Sequence, residues 1–210
     1  MKIVFATSLD NEYVWKAINF LEMLVPNKNI IYLRQPIGQG IIKKYDIGIS
    51  FLYQHKVSEN DLQTPWLNFH PGPLPEYRGR NVIYHAIMND AEEFGGTIHY
   101  MDKNFDTGPI IEVEKFEILE TDTAGDILDK TYDSLLNLFY KYLPQVLEGR
   151  KLKTYRKDSW QANYYKQSKI NEYIKVDDYT FKEIRALTVH PKYHAKIKIG
   201  NKTYKIVPQE

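Results

Sequence analysis

The sequence predicts an α/β fold: a mostly parallel sheet crossed by helices, followed by a small appendage. Three observations carry this expectation. Short runs of β-branched and aromatic residues alternate with an amphipathic stretch over residues 2–69, the pattern of right-handed strand–helix–strand crossovers. Two strand-like runs and one long amphipathic stretch follow between 95 and 147. From residue 151 the composition turns basic, aromatic and weakly periodic. That change divides the chain into a core, 1–150, and an appendage, 151–210, and a chain of 210 residues can bury a sizeable core.

Each element has a local reason. Residues 2–7 (KIVFAT) read as a buried strand. Asp10 or Asn11 caps a helix to about residue 25, with Val14, Ala17, Ile18, Leu21 and Leu24 on one stripe. Residues 29–33 form a second strand, 35–40 a loop with a proline and two glycines, 46–51 a third strand and 66–69 a fourth. A helix over 79–90 follows a proline-rich turn. Residues 95–102 alternate, with Thr97 and His99 on one face and Ile98 and Tyr100 on the other, and pair with 109–116 as an antiparallel hairpin. Thr121-Asp122-Thr123 opens a helix to about residue 147, whose apolar face runs from Ile127 through Leu135 and Phe139 to Leu143, and Gly149 ends it. Residues 151–169 read as a connection, 181–188 as a short helix, and 193–199 with 202–207 as a hairpin around Gly200-Asn201.

Composition excludes several functions. With 28 basic and 27 acidic residues the net charge is +1, which gives no electrostatic case for a nucleic-acid partner. That holds even though 151–169 interleaves basic and aromatic residues. There is no cysteine, and the six histidines lack metal-ligand spacing, so no metal is expected. The first strand ends ATSLDNEY without a G-x-G loop, which argues against a dinucleotide site. The start does not read as a signal peptide and no run spans a membrane, so the expected location is cytoplasmic.

The chemistry concentrates between Trp66 and Ile111. Pro71-Gly72-Pro73-Leu74-Pro75 is a stiff turn directly after the fourth strand. Asn68 and His70 stand two apart at that strand's end, hence on one face. Asp106 arrives on a second turn, Asn104-Phe105-Asp106-Thr107-Gly108-Pro109. An Asn amide can donate to a developing oxyanion. A His can move a proton near neutral pH, and an Asp can orient the ring and favour its cation. None of the three is a good nucleophile here, so the set suits acyl transfer to an amine without a covalent enzyme intermediate. Singly, each residue is as readily structural: a satisfied His after a strand, an Asn in a turn, an Asp in an Asx-turn.

Together the residues N-x-H-P-G-P-L-P-x-Y-R-G and, 36 residues after the His, D-T-G-P-I-I resemble the formyltransferases that use 10-formyltetrahydrofolate. The resemblance covers roughly residues 1–150. It implies a Rossmann-like formyltransferase core, with Asn68, His70 and Asp106 catalytic and 10-formyltetrahydrofolate as co-substrate. By the family's pattern the loop Phe51, Leu52, Tyr53, Gln54, His55 and Lys56 flanks the pterin, largely through backbone groups. Phe105, Thr107 and Gly108 form the other wall, and Tyr77, Arg78 and Arg80 are acceptor-side contacts. Gln54 stands where an Arg is frequent, which weakens any charge contact there. The tail IRALTVHPKYHAKIKIGNKTYKI is similar to that of sugar N-formyltransferases. The implied acceptor is therefore a nucleotide-linked amino deoxysugar for a surface glycan, and the implied assembly a homodimer. Glycinamide ribonucleotide as acceptor is disfavoured by the missing glycine-rich phosphate loop. A methionyl-tRNA formyltransferase, which carries a larger barrel-like domain than 151–210 supply, is the competing enzyme. A folate-binding module without turnover is the other alternative.

Overall fold

The structure is a computed structural model that describes residues 1–36, 44–155, 164–166, 173–174, 181–189, 193–199 and 201–207. Residues 37–40 of the expected loop at 35–40, most of the 151–169 connection and Gly200 of the hairpin turn lie outside the described residues.

The chain opens with β1 (Ile3–Ala6), buried throughout, and α1 (Glu12–Leu24), where the Asn11 side chain accepts from the Val14 amide at 3.0 Å. β2 (Ile30–Leu33), β3 (Ile47–Phe51) and β4 (Trp66–His70) follow. Next come a two-residue β5 (Arg78–Gly79), α2 (Val82–Met88), β6 (Glu93–Tyr100), β7 (Ile110–Glu117) and α3 (Ala124–Leu147). Six strands make one sheet in the order β2-β1-β3-β4-β6-β7. The first four pair in parallel, and β6 runs antiparallel to both β4 and β7. This is the mostly parallel α/β sheet that the sequence predicts.

The two faces of the sheet differ. Ile3, Phe5, Ile49, Phe51, Leu67 and Phe69 point to the side covered by α1 and α3. Phe139 of α3 sits at the centre of that layer, with ring contacts to Phe5, Phe51 and Phe69 at 6.1, 5.6 and 5.3 Å. Val4, Ala6 and Trp66 face the other side. Since β-strand side chains alternate, Asn68 and His70 share that second face with Trp66. A capping box fixes the start of α3: the Asp126 amide donates to Thr123 Oγ1 and the Thr123 amide to Asp126 Oδ2. Gly149, at φ +71°, follows its end.

Beyond residue 150 the chain forms β8 (Tyr164–Tyr165), β9 (Tyr173–Ile174), α4 (Phe181–Leu187), β10 (Lys196–Ile199) and β11 (Lys202–Lys205). β10 and β11 form the expected antiparallel hairpin. Arg185 of α4 donates to the carbonyls of Asp122 and Leu119, which fastens the appendage to the entry of α3. Several elements start or stop away from expectation: β6 lies two residues earlier than 95–102, and β10 starts at 196 instead of 193. α2 begins at Val82 instead of 79, because Arg78 and Gly79 pair in parallel with Tyr164 and Tyr165. β4 continues to His70, which pairs with Thr97.

Phe139→Ala removes a fully buried ring from the layer between helices and sheet. It is expected to cost about 3–5 kcal/mol of unfolding free energy in urea titrations. A loss below about 1 kcal/mol would show that the layer is not packed as described.

Candidate active site

Strand register brings the polar side chains of the second face together. Ser50 lies opposite Asn68, Asn68 opposite His99, and His70 opposite Thr97. The β6–β7 turn then folds Asp106 over the end of β4. Asp106 Oδ1 stands 3.4 Å from Asn68 Nδ2 and 3.5 Å from His70 Nδ1. Its Oδ2 accepts from the Gly79 amide at 3.1 Å. The three predicted groups thus come from strand β4 and the β6–β7 turn to one place, with 5 % of the His70 side chain and 13 % of the Asp106 side chain exposed.

The loops have local causes. Asp102 takes the turn-forming role, its Oδ1 accepting from the Asn104 amide and Thr107 Oγ1 at 3.0 and 2.6 Å. Asp106 is thereby left for the site, at φ +54°, a conformation Asp tolerates better than most side chains. Gly108 lies where a Cβ would fall 1.7 Å from the Tyr100 carbonyl, so the turn can close tightly onto β6. Across the site, Thr97 Oγ1 donates to the Gly72 carbonyl at 2.7 Å and accepts from the Leu74 amide at 3.0 Å, which anchors the proline-rich turn.

The hydrogen bonds fix the direction of the Asn68 amide. A carbonyl oxygen only accepts, so His99 Nδ1, 2.8 Å from the Tyr100 carbonyl, carries a proton. Burial pushes the His99 pKa down to about 4, against an opposing pull from Asp106. The ring is therefore neutral near pH 7, and its Nε2 presents a lone pair. Asn68 Nδ2, 3.0 Å away, donates to it. Asn68 Oδ1 consequently faces Ser50, whose hydroxyl donates at 2.7 Å. The amino end of the amide lies beside Asp106. His70 has a different setting: Nε2 donates to the Tyr77 carbonyl at 2.8 Å, and Nδ1 faces Asp106. A proton on Nδ1 has the carboxylate as its acceptor.

A cleft of about 550 Å³ opens beside this cluster, lined by Lys56, Arg78, Asp102, Lys103, Asn104, Phe105, Thr107 and Tyr164. A smaller recess beneath it reaches His99 and Asp106. A cleft of this volume suits a small-molecule ligand. Of the residues expected on the donor side, Lys56, Phe105 and Thr107 line the cleft. Lys56 Nζ stands 5.9 Å from the centroid of the Phe105 ring. Phe51 and Leu52 are buried, so they offer a ligand only backbone. The loop around them is held by Gln54 N donating to Ser8 Oγ at 2.9 Å and by Ser8 N donating to the Leu52 carbonyl at 3.2 Å. Tyr53 and His55 pack edge to face. On the acceptor side Arg78 lines the cleft, and Arg80 Nη2 donates to the Gln54 carbonyl at 3.1 Å. The Tyr77 ring packs against Phe94 and Tyr165. Ser50 and Tyr165 also touch the cluster or its supports, and no motif in the sequence marks them; Gly79 closes the N-x-H-P-G-P-L-P-x-Y-R-G run, but the role of its amide is visible only in the structure.

His99 carries a pH signature. Its folded-state pKa lies below the ordinary 6.5, so its contribution to stability is complete above about pH 6.5 and is lost as pH falls toward 4. Over that range the wild type is expected to lose on the order of 3 kcal/mol more than His99→Gln. Urea midpoints at pH 7.5, 5.5 and 4.5 measure the difference, and parallel curves for the two proteins would remove His99 as its source.

Comparison with known proteins bears on the fold. Residues 55–146 match the family described as Formyl transferase. The methionyl-tRNA formyltransferase of Bacillus cytotoxicus is 33 % identical over 130 residues, covering 60 % of this chain and 41 % of that protein. The chain thus spans about two fifths of the length of that curated relative. Among solved structures, a 4-N formyltransferase from Francisella tularensis superposes with TM-score 0.80 at 21 % identity, covering 99 % of this chain and 97 % of that one. The N-formyltransferase from Helicobacter canadensis, solved with folinic acid and dTDP-3-aminofucose, superposes with TM-score 0.77 at 18 % identity over 96 % and 85 % of the two chains. Residues 55–146 thus match the formyl transferase family model, and the chain has the fold of these solved N-formyltransferases.

Proposed function

We propose that the protein transfers a formyl group from 10-formyltetrahydrofolate to the primary amine of a nucleotide-linked amino deoxysugar. The observation that carries this is the meeting of Asn68, His70 and Asp106 at 3.4–3.5 Å beside a cleft of about 550 Å³. In the reaction the amine nitrogen attacks the formyl carbon and a C–N bond forms. The carbonyl oxygen becomes an oxyanion, to which Asn68 donates from Nδ2, the end of the amide that Ser50 and His99 keep turned toward Asp106. A proton leaves the amine for Asp106 or His70. The bond from the formyl carbon to the folate nitrogen then breaks, and that nitrogen takes up the proton. The products are a formamide and tetrahydrofolate.

The donor side fits a folate in kind. Phe105 offers an aromatic wall, the 51–56 loop offers backbone, and Lys56 and Lys103 stand where the carboxylates of a glutamyl tail would be attracted. The amino-sugar acceptor is supported by two-way coverage of nearly whole chains with a sugar N-formyltransferase from Shewanella. It is also supported by the dTDP-3-aminofucose bound to the Helicobacter enzyme. In this reading residues 1–150 form the catalytic core and 151–210 an appendage. The hairpin of β10 and β11 serves as a dimer contact, and the work is done in the cytoplasm for a surface glycan. Identity to methionyl-tRNA formyltransferases favours a second reading, formylation of charged tRNA.

Mass spectrometry of a panel of UDP-, dTDP- and GDP-linked amino sugars, incubated with protein and 10-formyltetrahydrofolate, tests the proposal. The expected result is a gain of one formyl group on at least one sugar and none on methionyl-tRNA. Formylation of the tRNA alone reverses the assignment. Asn68→Ala is expected to lower turnover by roughly 10²–10³-fold, with His70→Asn and Asp106→Asn also strongly impaired. Near wild-type rates in all three folded variants would end the proposed mechanism.

A further inference from the structure

Two backbone groups support the site from outside it. The Tyr77 carbonyl accepts from His70 Nε2, and the Gly79 amide donates to Asp106 Oδ2. Both belong to one short segment, 77–79, between the proline-rich turn and α2. Such a segment has little of its own to hold it: β5 is two residues long and Gly79 adopts φ +101°, a conformation that glycine accepts without strain.

The appendage supplies the hold. Tyr164 and Tyr165 pair in parallel with Arg78 and Gly79, and the Arg80 amide donates to the Tyr165 carbonyl at 2.9 Å. A Cβ on residue 79 would lie 2.2 Å from that carbonyl, so the approach is as close as glycine permits. The Tyr165 ring stacks on His85 of α2 at 4.1 Å and 21°. It lies nearly parallel to the Tyr77 ring at 5.9 Å and 11°, and its hydroxyl accepts from Asn89 Nδ2 at 3.1 Å. Main chain and ring of this one residue therefore grip both sides of the 77–79 segment.

We infer that Tyr165 is a positioning residue: clamped against His85 and Tyr77, it fixes the backbone at 77–79 that orients His70 and Asp106. It touches neither reacting group. Its effect passes through a carbonyl and an amide whose angular placement decides where the imidazole and the carboxylate point. Displacements near 1 Å at such a distance can cost roughly 10²-fold in rate. The assignment also gives the appendage a part in the site of the core: a strand of 164–165 completes a two-stranded sheet whose other strand holds Asp106.

The kinetic arm of the test rests on the formyl-transfer reading, and the spectroscopic arm does not. Imidazole ¹H–¹⁵N spectra of His70, assigned by comparison with His70→Asn, are recorded for wild type, Tyr165→Phe and Tyr165→Ala, with melting temperatures and formyl-transfer kinetics. Tyr165→Phe keeps the stack and is expected to keep the His70 resonances and kcat. Tyr165→Ala is expected to move the His70 Nε2 and Nδ1 resonances and to lower kcat roughly 10- to 100-fold, with KM changed less than about threefold. Should Tyr165→Ala not fold, Tyr165→Leu, which fills volume without stacking, is read in its place. Ala186→Gly on α4 serves as a destabilising control and is expected to lower the melting temperature without moving His70. Unmoved His70 resonances in Tyr165→Ala or Tyr165→Leu overturn the inference, as does an equal movement in Ala186→Gly. Absence of formyl product from wild type would end the formyl-transfer reading, while the movement of the His70 resonances would still decide the role of Tyr165.

Discussion

One carboxylate organises the polar side of this molecule. Asp106 meets the Asn68 amide, His70 Nδ1 and the Gly79 amide within 3.1–3.5 Å. These contacts come from the end of β4 and from the segment before α2, so the carboxylate joins three stretches of chain that local structure would leave separate. A shielded carboxylate is costly unless its oxygens are met by donors. Here that requirement is constructive, since satisfying Asp106 forces the β6–β7 turn down onto the strand end. The apolar layer determines how far it can come. A Cβ at Gly96 would fall 2.6 Å from Leu135 Cδ2, so α3 lies close against β6. With α3 capped at Thr123 and centred on Phe139, the hairpin that carries Asp106 has a fixed depth.

The sheet's alternation then separates structural from chemical work. Along β4, Leu67 and Phe69 enter the apolar layer, while Trp66, Asn68 and His70 turn to the opposite face. A slip of one residue would exchange the two sets. Burial of Phe69 against Phe139 and Phe51 therefore also aims Asn68 and His70. Stability and placement of the site are two consequences of the same packing.

Much of this is legible in the chain. Periodicity locates the four parallel strands, the long helix and the closing hairpin, because each buries a regular stripe. The spacing of Asn68 and His70, and the turn residues around Asp106, locate the cluster. What stays hidden depends on pairing between distant residues. Ser50 reaches Asn68 through the β3–β4 register, and a serine inside an apolar strand looks like any buried hydroxyl. Tyr77, Arg78 and Gly79 close the N-x-H-P-G-P-L-P-x-Y-R-G run, but the way the site depends on them does not show in their side chains, because it runs through the Tyr77 carbonyl and the Gly79 amide. For the same reason sequence pattern starts α2 three residues early: the pairing that holds 78–79 extended comes from Tyr164 and Tyr165, some 85 positions away. Alternation places His99 on the face of Thr97, but its tautomer follows only from the Tyr100 carbonyl.

The two histidines of the cluster show how one carboxylate can sit beside rings with different duties. Their centroids are 6.5 Å apart, and both face Asp106 Oδ1, at 3.5 Å from His70 and 3.9 Å from His99. For His99 the desolvation of a fully enclosed ring outweighs the attraction of Asp106, and the proximity of His70 opposes a second charge. Its proton is fixed on Nδ1, and it acts as a permanent dipole that tells the Asn68 amide which way to face. His70 has its Nε2 proton engaged by the Tyr77 carbonyl and keeps Nδ1 toward the carboxylate, the one direction in which a proton can move. A proton on His99 Nε2 would take from the Asn68 amide the lone pair to which it donates. Keeping one ring neutral lets the proposed oxyanion donor hold its direction through the proton transfers proposed for the other ring and Asp106.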